Sequence, residues 1–220
     1  MIFAEELMNS VKTIWDEMVE HPFVMGMAKG TLEKEKFLRY LVQDTIYLKF
    51  YAKVYAWGMI KTDDTDLMRK LYRDMDVIIS DETMMHIRYL KDLGLTEEET
   101  LAQPMHPVTK AYLDYMLTTS EQCSLAEGLV GLMPCAFSYY YIATRCKENA
   151  IANGTYEDNY YKEWMDHYSG GSYKACYERT IDICESVVRG LGEAEKARLM
   201  EVFHKGTDYE FDFWDMGYSG

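Results

Sequence analysis

The chain has 220 residues, 48% of them apolar and 27% charged, a composition that can fill the core of one domain and excludes disorder as the main state. Its formal charge of −14, with no basic cluster interleaved with aromatics, argues against nucleic acid as a partner. The longest apolar run, about Gly128 to Ala143, is shorter than the roughly 20 residues that span a bilayer and contains Pro134, so no membrane association is expected.

Apolar residues at Phe3, Leu7, Val11, Ile14, Trp15 and Met18 follow the helical period, predicting a first helix of about five turns that ends at His21-Pro22. After Gly30-Thr31 a second, nearly uninterrupted helix is expected from Leu32 to about Lys61. Asp64-Thr65 caps a third, with Leu71, Met75, Ile78, Met85 and Tyr89 on its stripe and Gly94 at its end. Thr96-x-x-Glu99 is a capping box opening a short helix. His106-Pro107 starts the next segment, and a buried helix from about Glu121 to Lys147 carries Pro134-Cys135. Asn153-Gly154 is a turn. Three helices follow, marked by Tyr161, Trp164 and Tyr168, by Tyr173 to Val188, and by Glu193 to about Trp214. No window alternates with period two and no repeat or linker appears, so residues 1–220 are expected to form a single all-α helical bundle.

Pro134 stands out because proline inside a helix removes one donor and costs roughly 3 kcal/mol. A kink there is expected to turn Cys135 and place Tyr139 one turn along on the same face, a thiol with a phenol beside it. Buried cysteine is most often a small hydrophobe, so its neighbours must decide. Asp44, Glu82 and Glu210 each interrupt an apolar stripe, and a carboxylate buried without partners costs several kcal/mol or takes up a proton. Three inward acids among many tyrosines suggest a polar pocket for a flat heteroaromatic ligand. Glu82-x-x-x-His86 and Glu163-x-x-x-His167 also place an acid and an imidazole one turn apart, but the paired Glu-x-x-His motifs of di-iron bundles are absent and no metal or other cofactor is expected. Phosphate-binding glycine loops and a G-x-S-x-G elbow are absent too. Five cysteines, an odd set without C-x-x-C spacing, and no basic-then-apolar leader point to a reducing cytoplasm.

Five motifs in order carry a resemblance over nearly the whole chain: His21-Pro22-Phe23-Val24 with Gly30-Thr31-Leu32; Tyr40-Leu41-Val42-Gln43-Asp44 with Tyr47-Leu48; Leu132-Met133-Pro134-Cys135 with Tyr139; Tyr161-x-x-Trp164-x-x-x-Tyr168; and Tyr209 to Met216. The chain resembles the TenA, or thiaminase II, family of thiamin-salvage hydrolases, whose fold is a haem-oxygenase-like α-bundle. The resemblance implies that Cys135 is the nucleophile, Glu210 the catalytic acid or base and Tyr139 a helper near the thiol. It implies that Asp44 holds an aminopyrimidine ring, that Tyr47 packs on the ring, and that Tyr112 and Tyr168 line the pocket with His86 and Glu82. The implied reaction converts 4-amino-5-aminomethyl-2-methylpyrimidine, and secondarily thiamin, to the 5-hydroxymethyl compound, in a homotetramer. Tyr141 and Ala143 stand where the family commonly has glutamate and glycine, so an effect on the leaving group is expected there. A metal-dependent oxidase of the same bundle and a non-catalytic pyrimidine-binding or regulatory protein are the alternative readings.

Overall fold

The computed structural model describes residues 1–220 and contains helices and no strand. In chain order these are α1 (Phe3–Ser10), α2 (Lys12–Glu20), α3 (Pro22–Ala28), α4 (Lys34–Ile60), α5 (Thr65–Asp76), a π-helical segment (Val77–Glu82), α6 (Thr83–Asp92), α7 (Glu97–Leu101), α8 (Pro107–Gln122), α9 (Leu125–Ala152), α10 (Lys162–Ser169), α11 (Gly171–Val187) and α12 (Glu193–Ser219).

Helix α9 is the axis of the bundle, packed against α4, α8, α10, α11 and α12. From Ala126 to Tyr139 all but one of its residues are buried, as a helix that is apolar on every side must be. The core is one cluster of 56 buried residues drawing on both ends of the chain. Helix starts follow the caps read from the sequence: Asp64 Oδ1 accepts from the N–H of Asp66 at 2.8 Å, and Thr96 and Glu99 cap each other's backbone. Gly94 and Gly154 take the left-handed conformation that their turns require, with φ of 88° and 69°.

Four expectations are corrected. The first helix divides at Val11 into α1 and α2; the Ser10 hydroxyl donates to the Leu7 carbonyl, competing with the helical ladder at the break. The third is interrupted by the π-helical segment, where the Thr83 hydroxyl donates to the carbonyl of Ile78 five residues back. The Cys135 helix begins at Leu125, because Ser124 and Glu127 form a capping box, and runs on to Ala152. The last helix continues past Trp214 to Ser219.

Helix α9 also continues through Pro134. The proline ring lies against α12, where a Cβ added to Gly206 would sit 2.6 Å from Pro134 Cγ. Glycine at 206 therefore lets the two helices approach closely, one turn before Glu210.

Candidate active site

The inward acids come from three different helices and meet beside Cys135. Asp44 on α4, Glu82 at the end of the π-helical segment and Glu210 on α12 are 2%, 4% and 2% exposed, and Cys135 is 4% exposed. No lysine or arginine pairs with any of the three acids. Burial raises their carboxyls, Asp44 to about 7 and Glu82 and Glu210 each to about 8, so the group shares protons near neutrality instead of carrying three charges.

Tyrosines hold the acids. The Tyr112 hydroxyl donates to Glu210 Oε1 at 2.6 Å, and the Tyr168 hydroxyl donates to Glu82 Oε1 at 2.7 Å. The same Tyr168 oxygen lies 3.1 Å from His86 Nε2, which is in turn 3.4 Å from Asp44 Oδ2. Burial holds the His86 imidazole down to about 3, so it is neutral and its approach to Asp44 is not an ion pair. Asp44 Oδ2 and His86 Nδ1 are buried with no hydrogen-bond partner. An unsatisfied carboxyl oxygen in a protein interior is costly, and a ligand donor would satisfy it.

Burial pushes the Cys135 thiol well above its ordinary value, the Glu210, Glu82 and Asp44 carboxyls add to the push, and hydrogen bonding from Tyr47 opposes it. The Tyr47 hydroxyl itself donates to Met116 Sδ at 3.7 Å. Tyr139 packs against Tyr168 at 4.8 Å and Trp214 at 5.5 Å between ring centroids. Tyr47 lies against Tyr51 and Tyr112, with centroids 5.2 and 5.3 Å away, so its ring forms part of an aromatic wall. Hydrogen bonding from Cys135 works against the rise of Glu210, which places an acid next to the thiol.

All nine residues singled out in the sequence, Asp44, Tyr47, Glu82, His86, Tyr112, Cys135, Tyr139, Tyr168 and Glu210, are buried in the core. Two further residues belong with them. Tyr40, one turn before Asp44, lends it a hydrogen bond and accepts one from Trp164 Nε1 at 3.1 Å. Trp214 stacks on Tyr40, at 5.6 Å and an interplanar angle of 12°. Both stand in motifs that carry the resemblance, Tyr40 four residues before Asp44 and Trp214 four after Glu210, without a role assigned to either.

Of the two departures from the family pattern, Tyr141 meets the α2 side of the bundle, its hydroxyl donating to Asp16 and its ring 5.6 Å from that of Trp15, while Ala143 is fully buried. Glu163 is an exposed partner of Arg88, and Glu82 and His86 are joined through Tyr168. No three His, Cys, Asp or Glu side chains are grouped as metal ligands.

A family model described as TENA/THI-4/PQQC matches residues 8–220. Two aminopyrimidine aminohydrolases are similar throughout: that of Helicobacter pylori is 32% identical, covering 99% of each chain, and that of Halalkalibacterium halodurans is 33% identical, covering 100% of this chain and 96% of the other. Among solved structures, a TenA homologue from P. horikoshii OT3 superposes with a TM-score of 0.87 at 31% identity over 99% of both chains. A domain of unknown function with a heme oxygenase-like fold from Shewanella denitrificans matches at 0.76 and 17% identity, over 98% of this chain and 91% of the other, a likeness of fold alone.

Proposed function

Because the chain belongs to the TENA/THI-4/PQQC family, we propose that it is an aminopyrimidine aminohydrolase, a hydrolase of C–N bonds in thiamin salvage. The substrate we assign is 4-amino-5-aminomethyl-2-methylpyrimidine, with thiamin secondary. The observation that carries this reading is the unpartnered Asp44 Oδ2 in a pocket of three acids without a cation. An aminopyrimidine is amidine-like, and a carboxylate facing its ring nitrogen and exocyclic amine makes two in-plane, charge-assisted hydrogen bonds. The aromatic wall of Tyr47, Tyr51 and Tyr112 suits the faces of such a ring.

In the mechanism we assign, the Cys135 thiol passes its proton to the Glu210 carboxylate as sulfur bonds to the activated ring carbon. Burial disfavours a free thiolate, so the transfer accompanies attack on the protonated ring. Glu210 delivers that proton to the amine, the C–N bond breaks and ammonia leaves an exocyclic methylene. Water adds to the methylene, giving its proton to Glu210; the C–S bond then breaks, the sulfur regains a proton from Glu210, and the hydroxymethyl product is released. Tyr112 keeps Glu210 in place through its 2.6 Å hydrogen bond. Tyr139, through its packing against Tyr168 and Trp214, supports the Asp44 end of the site.

We also assign a homotetramer in a reducing cytoplasm; five unpaired cysteines are consistent with that compartment, and no helix is long and apolar enough to cross a membrane. The deciding experiment follows ammonia and hydroxymethylpyrimidine from the aminomethyl substrate with wild type and Cys135→Ser. We expect turnover to fall on the order of a thousandfold or more, as when other enzymes lose a nucleophile, with binding of the pyrimidine retained. Unchanged turnover in the variant rules out the thiol mechanism.

A further inference from the structure

The Tyr168 hydroxyl has a single proton and two buried partners, Glu82 Oε1 at 2.7 Å and His86 Nε2 at 3.1 Å. Glu82 accepts through Oε1, whether as the carboxylate or as the acid protonated on Oε2, and this leaves Tyr168 to accept from His86, so Nε2 carries the imidazole proton and Nδ1 is bare. The surroundings of Nδ1 agree: it is buried without a partner, and an unpaired acceptor is cheaper to bury than an unpaired N–H.

The tautomer matters because His86 Nε2 lies 3.4 Å from Asp44 Oδ2, an oxygen with no hydrogen-bond partner of its own. With Nε2 protonated and its hydrogen directed to the Tyr168 oxygen, Asp44 Oδ2 meets no lone pair and its carboxylate remains available to a ligand. With Nδ1 protonated, the Nε2 lone pair would confront the carboxyl oxygen. Asp44 would then have to take up a proton and spend it on His86, losing the charge that recognises an amidine-like ring.

We propose that Glu82 and Tyr168 are positioning residues for Asp44, acting through His86: the acid fixes the direction of the tyrosine hydroxyl, which fixes the imidazole as its Nε2–H tautomer. The chain runs Glu82, Tyr168, His86, Asp44, from the π-helical segment to α10, back to α6 and across to α4. Every member is at most 4% exposed, so water does not replace a missing link. The π-helical segment ends on the residue that starts the chain of contacts, which gives this irregular turn a purpose. The consequence for ligand binding rests on the function proposed above; the tautomer does not.

Two substitutions separate orientation from bulk. Glu82→Gln keeps a carbonyl oxygen for the Tyr168 hydroxyl, whereas Glu82→Met keeps side-chain length and leaves that hydroxyl with His86 Nε2 as its remaining partner. Nitrogen-15 NMR of histidine-labelled protein distinguishes a protonated from a bare ring nitrogen, and the His86 signals are assigned by comparison with His86→Asn. Wild type and Glu82→Gln should show Nε2 protonated, and Glu82→Met should show Nδ1 protonated. Calorimetry with 4-amino-5-hydroxymethyl-2-methylpyrimidine should find Glu82→Met about tenfold or more weaker than Glu82→Gln, the size of a lost hydrogen bond to a charged group. A His86 protonated on Nδ1 in wild type, or a tautomer unmoved in Glu82→Met, overturns the proposal. A switched tautomer with equal affinities overturns its role for Asp44. Failure of wild type to bind the pyrimidine counts against the proposed function alone, since the NMR signals need no ligand.

Discussion

Burial of three carboxyls in one pocket is a cost that the folded protein carries for its chemistry, and it has a measurable pH signature. Glu210 rises from an unfolded value near 4.5 to about 8, so the folded state binds the proton more tightly. The stabilisation this linkage gives is fully present below the unfolded value and is lost as pH rises through 8. His86 behaves in the opposite sense: with its imidazole held down to about 3, its contribution is present above the unfolded value of 6.5 and fades as pH falls. Comparing melting temperatures of wild type and Glu210→Gln from pH 6 to 9 isolates the acid, because glutamine does not titrate. The variant should gain on wild type steadily across that window, and a constant gap would mean that Glu210 is not raised. The same three acids were legible from the sequence because each interrupts an apolar stripe. Their partners were not, since Tyr112 is 98 positions from Glu210 and Tyr168 is 86 from Glu82.

At the scale of elements, the site depends on how closely α12 approaches α9. Proline in the middle of a buried helix reads as a kink that turns Cys135, yet the helix runs on and the ring serves as a contact surface for Gly206. Alanine at 206 would gain about 1 kcal/mol of helix propensity. Its methyl would also meet the rigid Pro134 ring at 2.6 Å, and overpacking of that kind costs about 1–3 kcal/mol. Gly206→Ala should therefore lower stability by up to about 2 kcal/mol in denaturant titration, the overpacking cost less the propensity gain. It should also slow turnover, because Glu210 lies one turn further along the displaced helix. A variant as stable and active as wild type would show that α12 can shift without loss. The π-helical segment is the other feature no period revealed: Ile78, Glu82 and Met85 fit a helical stripe, and the widened turn comes from packing and from Thr83 bonding to Ile78.

For the whole molecule, a homotetramer predicts a solution mass four times that of the 25.8 kDa chain, and size-exclusion chromatography with light scattering checks it; a monomer would refute the assembly. The sequence by itself determined the all-α class, several helix starts and the inward turn of Asp44, Glu82 and Glu210, though not of the buried Asp74, because caps and hydrophobic period act over one or two turns. It also marked Asp44, Cys135 and Glu210 as belonging to one pocket, through polar exceptions on stripes and motifs in a familiar order. Only the tertiary structure decided which tyrosine serves which acid, that the Tyr47 hydroxyl meets Met116, and that Tyr141 faces α2. These are contacts between helices distant in sequence, and a residue's own helix specifies the face it occupies but not what the neighbouring helix brings to meet it.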